Sequence, residues 1–157
     1  MAEYFDPTPG ERRDELGKTT IGNTGQKRKN PHRGNDYGGK MITAVTTGRV
    51  TKVWWSDEVG NCLEQKTADG LWVTYCHMKN PSARKVGEMV IGGQTSIGLV
   101  GNTGSYSFGD HLHIVFSKVP NGLMAAFDKL VDAFKHIDAN RPKPIPKTGA
   151  NSEGSRE

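Results

Sequence analysis

The sequence predicts a mainly β protein, a sandwich or barrel of short strands with one helix near its C-terminal end. Three observations carry that expectation. Six short runs rich in Val, Ile, Thr and aromatic residues succeed one another between residues 41 and 118. Glycine punctuates them: 20 of the 157 residues are glycine, about 13% against an average of about 7%, which suits many tight turns. Beyond the last run, Leu123, Phe127, Leu130, Val131, Phe134 and Ile137 recur at three-to-four spacing, the apolar stripe of a single helix over residues 123–137 that caps the sheet.

In chain order, residues 1–30 mix charges with turn formers and read as a solvated N-terminal arm, with a basic knot at Lys27-Arg28-Lys29 and Arg33 close behind. The expected strands cover 41–46, 49–55, 61–67, 71–78, 95–100 and 112–118. They turn at Gly48, Gly60, Asp69-Gly70, Gly92-Gly93 and Gly101 to Gly104. Residues 41–119 hold 20 of the 30 Leu, Ile, Val and Phe residues, so the core belongs to the middle of the chain. After Asn140, the segment Arg-Pro-Lys-Pro-Ile-Pro-Lys and the Gly, Ser and Asn that follow offer no apolar surface to bury, and residues 141–157 read as a flexible tail.

Composition narrows the function classes. No apolar run approaches the roughly 18–20 residues that span a bilayer, and Met-Ala-Glu-Tyr-Phe-Asp-Pro lacks the basic and apolar regions of a signal peptide. Neither membrane insertion nor self-directed secretion is expected. Cys62 and Cys76 are too few for a disulfide scaffold and read as buried, reduced strand residues. A hairpin turning at Ala68-Asp69-Gly70 also lets them face each other, where an oxidising medium could join them. The net charge of +4 points weakly to polyanionic surroundings without choosing among nucleic acid, anionic lipid and wall polymer.

The chemistry concentrates in the histidines. His136 lies on the helix pattern and reads as an ordinary surface or packing histidine. In His111-Leu112-His113-Ile114-Val115-Phe116 the alternation places Leu112, Ile114 and Phe116 on one face of a strand and His111, His113 and Val115 on the other. The same rule puts His77 on the face of Tyr75 and Val73. The stretch His32-Arg33-Gly34-Asn35-Asp36, before Tyr37-Gly38-Gly39, reads as a loop running into a strand. Imidazole and carboxylate both bind zinc, so these pieces supply three candidate ligands and spare imidazoles. Three protein ligands leave a fourth position for water, as catalytic zinc requires.

Five stretches together, His32 to Asp36, Tyr75 to Met78, Val86 to Gln94, Ile97 to Gly104 and His111 to His113, resemble the lysostaphin-type (LytM-like) zinc metallopeptidases, endopeptidases of bacterial peptidoglycan. They occur in the family's order over about residues 30–118. The resemblance implies a compact antiparallel β core with a cleft across one face, and a zinc metallopeptidase domain over residues 31–140. It implies Zn²⁺ on His32, Asp36 and His113. It also leaves His77 and His111 unliganded beside the attacking water, His111 as general base and His77 as oxyanion stabiliser, or the reverse. The loop Ser105 to Asp110 is one residue longer than the common pattern, and Asp110 stands where proline is frequent.

The expected activity is a zinc-dependent endopeptidase cutting peptide crosslinks of peptidoglycan, monomeric, with no nucleic-acid partner. Lacking a signal peptide, it would reach the wall as a phage endolysin released through holin-type lesions from the host cytoplasm, or on a virion. A non-catalytic adaptor or phage structural protein of the same fold is the alternative. A biotinyl or lipoyl carrier fits poorly, since Met78-Lys79-Asn80 is only a partial match to a modifiable lysine. Nucleotide binding at Gly101 to Asp110 lacks the Gly-Lys-Ser/Thr ending; there Tyr106 and Phe108 could instead line a substrate wall. Trp54, Trp55 and Trp72 read as core or sheet-face residues.

Overall fold

A computed structural model describes residues 2–143. The β-rich runs form β2 (Met41–Thr43), β3 (Gly48–Ser56), β4 (Gly60–Thr67), β5 (Trp72–Met78), β7 (Ser96–Leu99) and β8 (Leu112–Ser117). To these the fold adds β1 (Asn35–Tyr37), β6 (Met89–Val90), β9 (Leu130–Val131) and a helix, α1 (Ala133–Ala139). The main sheet runs β1-β8-β5-β4-β3-β6 with antiparallel neighbours, β9 pairing with β8 beyond the end of β1; β2 and β7 make a separate ribbon. The sheet is open, and the described residues contain no closed barrel. No helix among them is long and apolar enough to cross a membrane.

Alternation along β8 delivers the expected core face: Leu112, Ile114 and Phe116 are buried and pack with Val73 and Tyr75 of β5. Ile42 of β2, Ile97 of β7 and Ile137 of α1 close the same cluster, so the ribbon and the helix cover one face of the sheet. The opposite face is left for the cleft.

The single helix expected over 123–137 does not form. Leu130 and Val131 pair with Ser117 and Phe116 of β8, and α1 begins only after Asp132, whose carboxylate accepts from the backbone N–H groups of Phe134 and Lys135. Gly122–Met124 and Phe127–Lys129 are single 3₁₀ turns, which leave Met124 exposed. The free edge of β8 takes up the backbone of residues 130–131, and helical spacing alone does not register such an edge.

Part of residues 2–30 also departs from the expected solvated arm, while most of 22–30 is exposed as that reading expects. Tyr4 is fully buried; its hydroxyl donates to Asp69 Oδ1 at 2.6 Å and its backbone N–H to Asn140 O at 2.8 Å. His136, in a packing role as expected, meets the Tyr4 ring edge-on at 4.6 Å and places Nε2 3.0 Å from Asp69 Oδ2. Arg12 forks onto both oxygens of Asp138 at 2.8 Å and, with Arg141, holds Asp6. Asp6 and Arg12, two of the charges that give the segment its solvated look, are held in these pairs. Tyr4→Ala is expected to cost about 3–5 kcal/mol, the usual range for truncating a buried aromatic. Urea denaturation checks this, and a loss below about 1 kcal/mol would show that the segment does not stabilise the domain. Most of the expected tail, residues 144–157, lies outside the described residues.

Candidate metal and catalytic site

The site is built where β1, β8 and β5 lie side by side. Asp36 is directly opposite His113 across the β1–β8 pair, and Cys76 is opposite His113 on the other side. Cross-strand partners share a face, so Asp36 and His113 turn away from the core that Ile114 enters. His113 Nδ1 lies 2.9 Å from Asp36 Oδ1, and His32 Nε2 lies 3.2 Å from Asp36 Oδ2. The donor atoms of His32, Asp36 and His113 all fall within 4.8 Å of one another.

Backbone contacts that side-chain patterns do not encode hold this trio. Arg13 N donates to Asp36 O at 2.8 Å and Asp36 N to Asp14 O at 2.9 Å, so residues 13–14 extend the sheet edge beside β1. His32 is gripped the same way: its N–H donates to Lys18 O, its carbonyl accepts from Gly17, and its Nδ1 donates to Glu15 O at 3.0 Å. That last bond orients the ring so that Nε2 points at Asp36. Gly34 completes the fit. A Cβ there would stand 2.6 Å from Ile114 O and 2.8 Å from His113 Cε1, so only glycine lets β1 approach the ring so closely.

His77 is not on the face that alternation assigns to it. Its φ is +67°, and at the end of β5 this left-handed turn swings the ring away from Tyr75 and into the cleft. There it lies 4.8 Å from the His111 ring and 5.9 Å from that of His113. A strained backbone needs outside support. The glycine loop supplies it: His77 Nδ1 donates to Thr103 O at 2.7 Å, and Thr103 Oγ1 donates to Met78 O at 2.7 Å. Gly101 and Gly104 let that loop lie against the backbone of Lys79 and Glu58, where a Cβ would stand 2.4 Å from each. His111 donates from Nδ1 to Gly109 O at 2.9 Å and directs Nε2 towards Asp36 Oδ1, 3.9 Å away.

Charge in the cluster is divided by burial and contact. Burial alone would raise the Asp36 carboxyl, but hydrogen bonds from His113 and His32 outweigh it and hold the group well below the ordinary carboxylate range. Burial lowers His113 despite the neighbouring carboxylate, and so favours its neutral, ligating form. Burial likewise pushes His77 down to about 4, against the opposing hydrogen bond to Thr103. In an unfolded chain a histidine titrates near about 6.5. Between those values the unfolded state binds the extra proton, so His77 should subtract stability as pH falls from about 6.5 to about 4. Denaturation of metal-free parent and His77→Phe proteins across this window checks the expectation: the parent's fall should be steeper.

Two imidazole nitrogens and a carboxylate oxygen, converging and mostly buried, are a donor set that suits zinc. The trio opens into a cleft of about 1010 Å³ that also admits His77, His111, Tyr106 and Trp54. Trp54, expected as a core or sheet-face residue, thus faces the cleft, while Phe108 is 91% exposed and is not among the lining residues. The basic knot at 27–29 lines the cleft as well.

The sequence model of peptidase family M23 matches residues 30–124. The chain belongs to peptidase family M23. Solved structures share its fold: a mutant catalytic domain of the prophage-encoded M23 protein EnpA from Enterococcus faecalis is 30% identical, with TM-score 0.61, over 83% of this chain and 92% of that one. The catalytic domain of the antimicrobial peptidase lysostaphin from Staphylococcus simulans is 24% identical, with TM-score 0.65, over 82% and 92%. A zinc-containing peptidase from Vibrio cholerae is 25% identical, with TM-score 0.61, over 90% of this chain and 41% of that one. The five M23 motif stretches read from the sequence fall within the matched region, whereas the segment that grips His32 and Asp36 lies before it.

Proposed function

We propose that this M23 peptidase is a zinc-dependent endopeptidase that hydrolyses peptide crosslinks of bacterial peptidoglycan in phage-driven wall lysis or penetration. The convergence of His32, Asp36 and His113 beside two unliganded histidines carries the reading. Its similarity to a prophage-encoded protein supports the phage setting, and its similarity to lysostaphin supports an antibacterial peptidase.

His32, Asp36 and His113 would hold the metal. Zinc bound there supplies Lewis acidity for the scissile carbonyl and lowers the pKa of water. The remaining work falls to His77 and His111. Each commits Nδ1–H to a carbonyl, so each presents an Nε2 lone pair when neutral. Burial favours the neutral form of His77, whose free Nε2 can then accept a proton from the attacking water. His111, its ring 4.8 Å from that of His77, stands where an imidazole can donate to the carbonyl oxygen and serve the leaving amine. This is the exchanged form of the two roles read from the sequence.

Digestion of purified peptidoglycan by the zinc-loaded protein, with new amino termini identified by mass spectrometry, tests the activity. New termini at glycine bridges or at D-Ala crosslinks would both support it and would name the bond. Intact walls after prolonged digestion would instead favour a non-catalytic adaptor of the same fold.

A further inference from the structure

The cleft holds more positive charge than its ion pairs balance. Arg28 is committed to Asp14, but Lys27, Lys29, Arg33 and Lys52 line the cleft with no carboxylate partner among the described residues. Arg33 donates to the carbonyl oxygens of Gly122 and Ala125, neutral acceptors that anchor the guanidinium and leave its charge uncompensated. Lys52 holds its ammonium 4.4 Å from the centroid of the Trp54 ring, a cation–π contact that stations it at the cleft wall. Against these four cations, the carboxylates lining the cleft are Asp36, inside the histidine cluster, and Glu58.

Like charges gathered around one concavity repel one another, and low-dielectric walls focus their field on whatever enters. The geometry points to an anionic ligand in the cleft. Lys27 and Lys29 lie on the loop leading to His32, whereas Lys52 lies on β3, three strands from His113 in the order β8-β5-β4-β3. At about 4.8 Å per strand that separation is about 14 Å, which an extended peptide covers in about four residues.

We propose that the cleft selects peptides bearing free carboxylates near the scissile bond, with Lys27, Lys29 and Lys52 discriminating them from amidated or neutral peptides. The inference rests on the endopeptidase reading for its ligand class, though its test reads binding separately from turnover. Each solvent-exposed pair contributes modestly, and three together amount to a preference of about tenfold at low salt.

Two soluble crosslink peptides, identical except that one carries free carboxylates and the other carboxamides, serve as probes. Calorimetry measures their binding to zinc-loaded His111→Ala protein, and hydrolysis is followed with the parent. The acid peptide is expected to bind about tenfold tighter. The ratio should fall to near one when Lys27→Gln, Lys29→Gln and Lys52→Gln are added. It should persist when Lys118→Gln, Lys129→Gln and Lys135→Gln are added instead, because these remove the same charge from exposed positions outside the cleft. Equal affinities, or binding of neither peptide, would overturn the inference even if walls are cut. A preference surviving the cleft substitutions would overturn the assignment to these lysines. A tenfold preference without hydrolysis by the parent would leave the inference standing and remove the endopeptidase reading.

Discussion

His113→Ala is expected to abolish stoichiometric zinc binding and peptide hydrolysis together. His113 is the ligand candidate whose position is set most completely by the sheet, with Asp36 opposite it on one side and Cys76 on the other. Losing a metal ligand should weaken affinity by more than the about 10–100-fold that follows from losing a supporting contact. The substitution also leaves the buried Asp36 carboxylate with only His32 as a close hydrogen-bonding imidazole. Gly34→Ala should move in the same direction by another route, since its methyl would enter the space of the His113 ring. Metal analysis after dialysis, with circular dichroism to confirm folding, measures both. Stoichiometric zinc on folded His113→Ala protein would show that the ligand set is wrong.

His77→Ala and His111→Ala should behave differently: zinc is retained and turnover falls by about 10²–10⁴, the range for a general acid or base. The two variants should also differ from each other. Removing His77 deletes the buried acceptor, whereas removing His111 deletes the donor to the leaving amine, so peptides with a better leaving group should recover more of the lost rate in His111→Ala. Single-turnover kinetics on soluble peptides, with zinc content measured in parallel, separates these cases. Near-parent rates in both variants would remove the proposed roles, and loss of zinc in either would place that histidine among the ligands.

The Thr103 contact adds a structural element to this pair. His77 owes its left-handed backbone to a clamp of Thr103, Gly101 and Gly104, none of which carries a catalytic group. By sequence, Gly101-Asn-Thr-Gly104 reads as a turn that could lead into a substrate wall. Its ends are instead packed against β5 and the β3–β4 turn, while its exposed continuation at Tyr106 reaches the cleft.

Much of the site is legible in the sequence because its residues obey local rules. His113 and the core residues Leu112, Ile114 and Phe116 follow the two-residue period of a strand, so their opposite faces can be read directly. The mainly β class and most strand positions follow from branched and aromatic runs broken by glycine. His32 and Asp36 can be recognised only through their company with the other motif stretches, because a loop His and Asp four residues apart can equally be an ordinary hydrogen-bonded pair.

What tertiary structure alone decided lies where long-range contacts override those rules. The helix expected over 123–137 yields to the open edge of β8, with which residues 130–131 pair instead. His77 crosses to the opposite face because a loop 26 residues away holds its imidazole. Residues 11–18, which composition marks as solvated, grip both His32 and Asp36 through backbone groups that every residue possesses. Side-chain chemistry is written in the sequence residue by residue, whereas pairing between distant backbone groups has no letter of its own and appears only when the chain has closed upon itself.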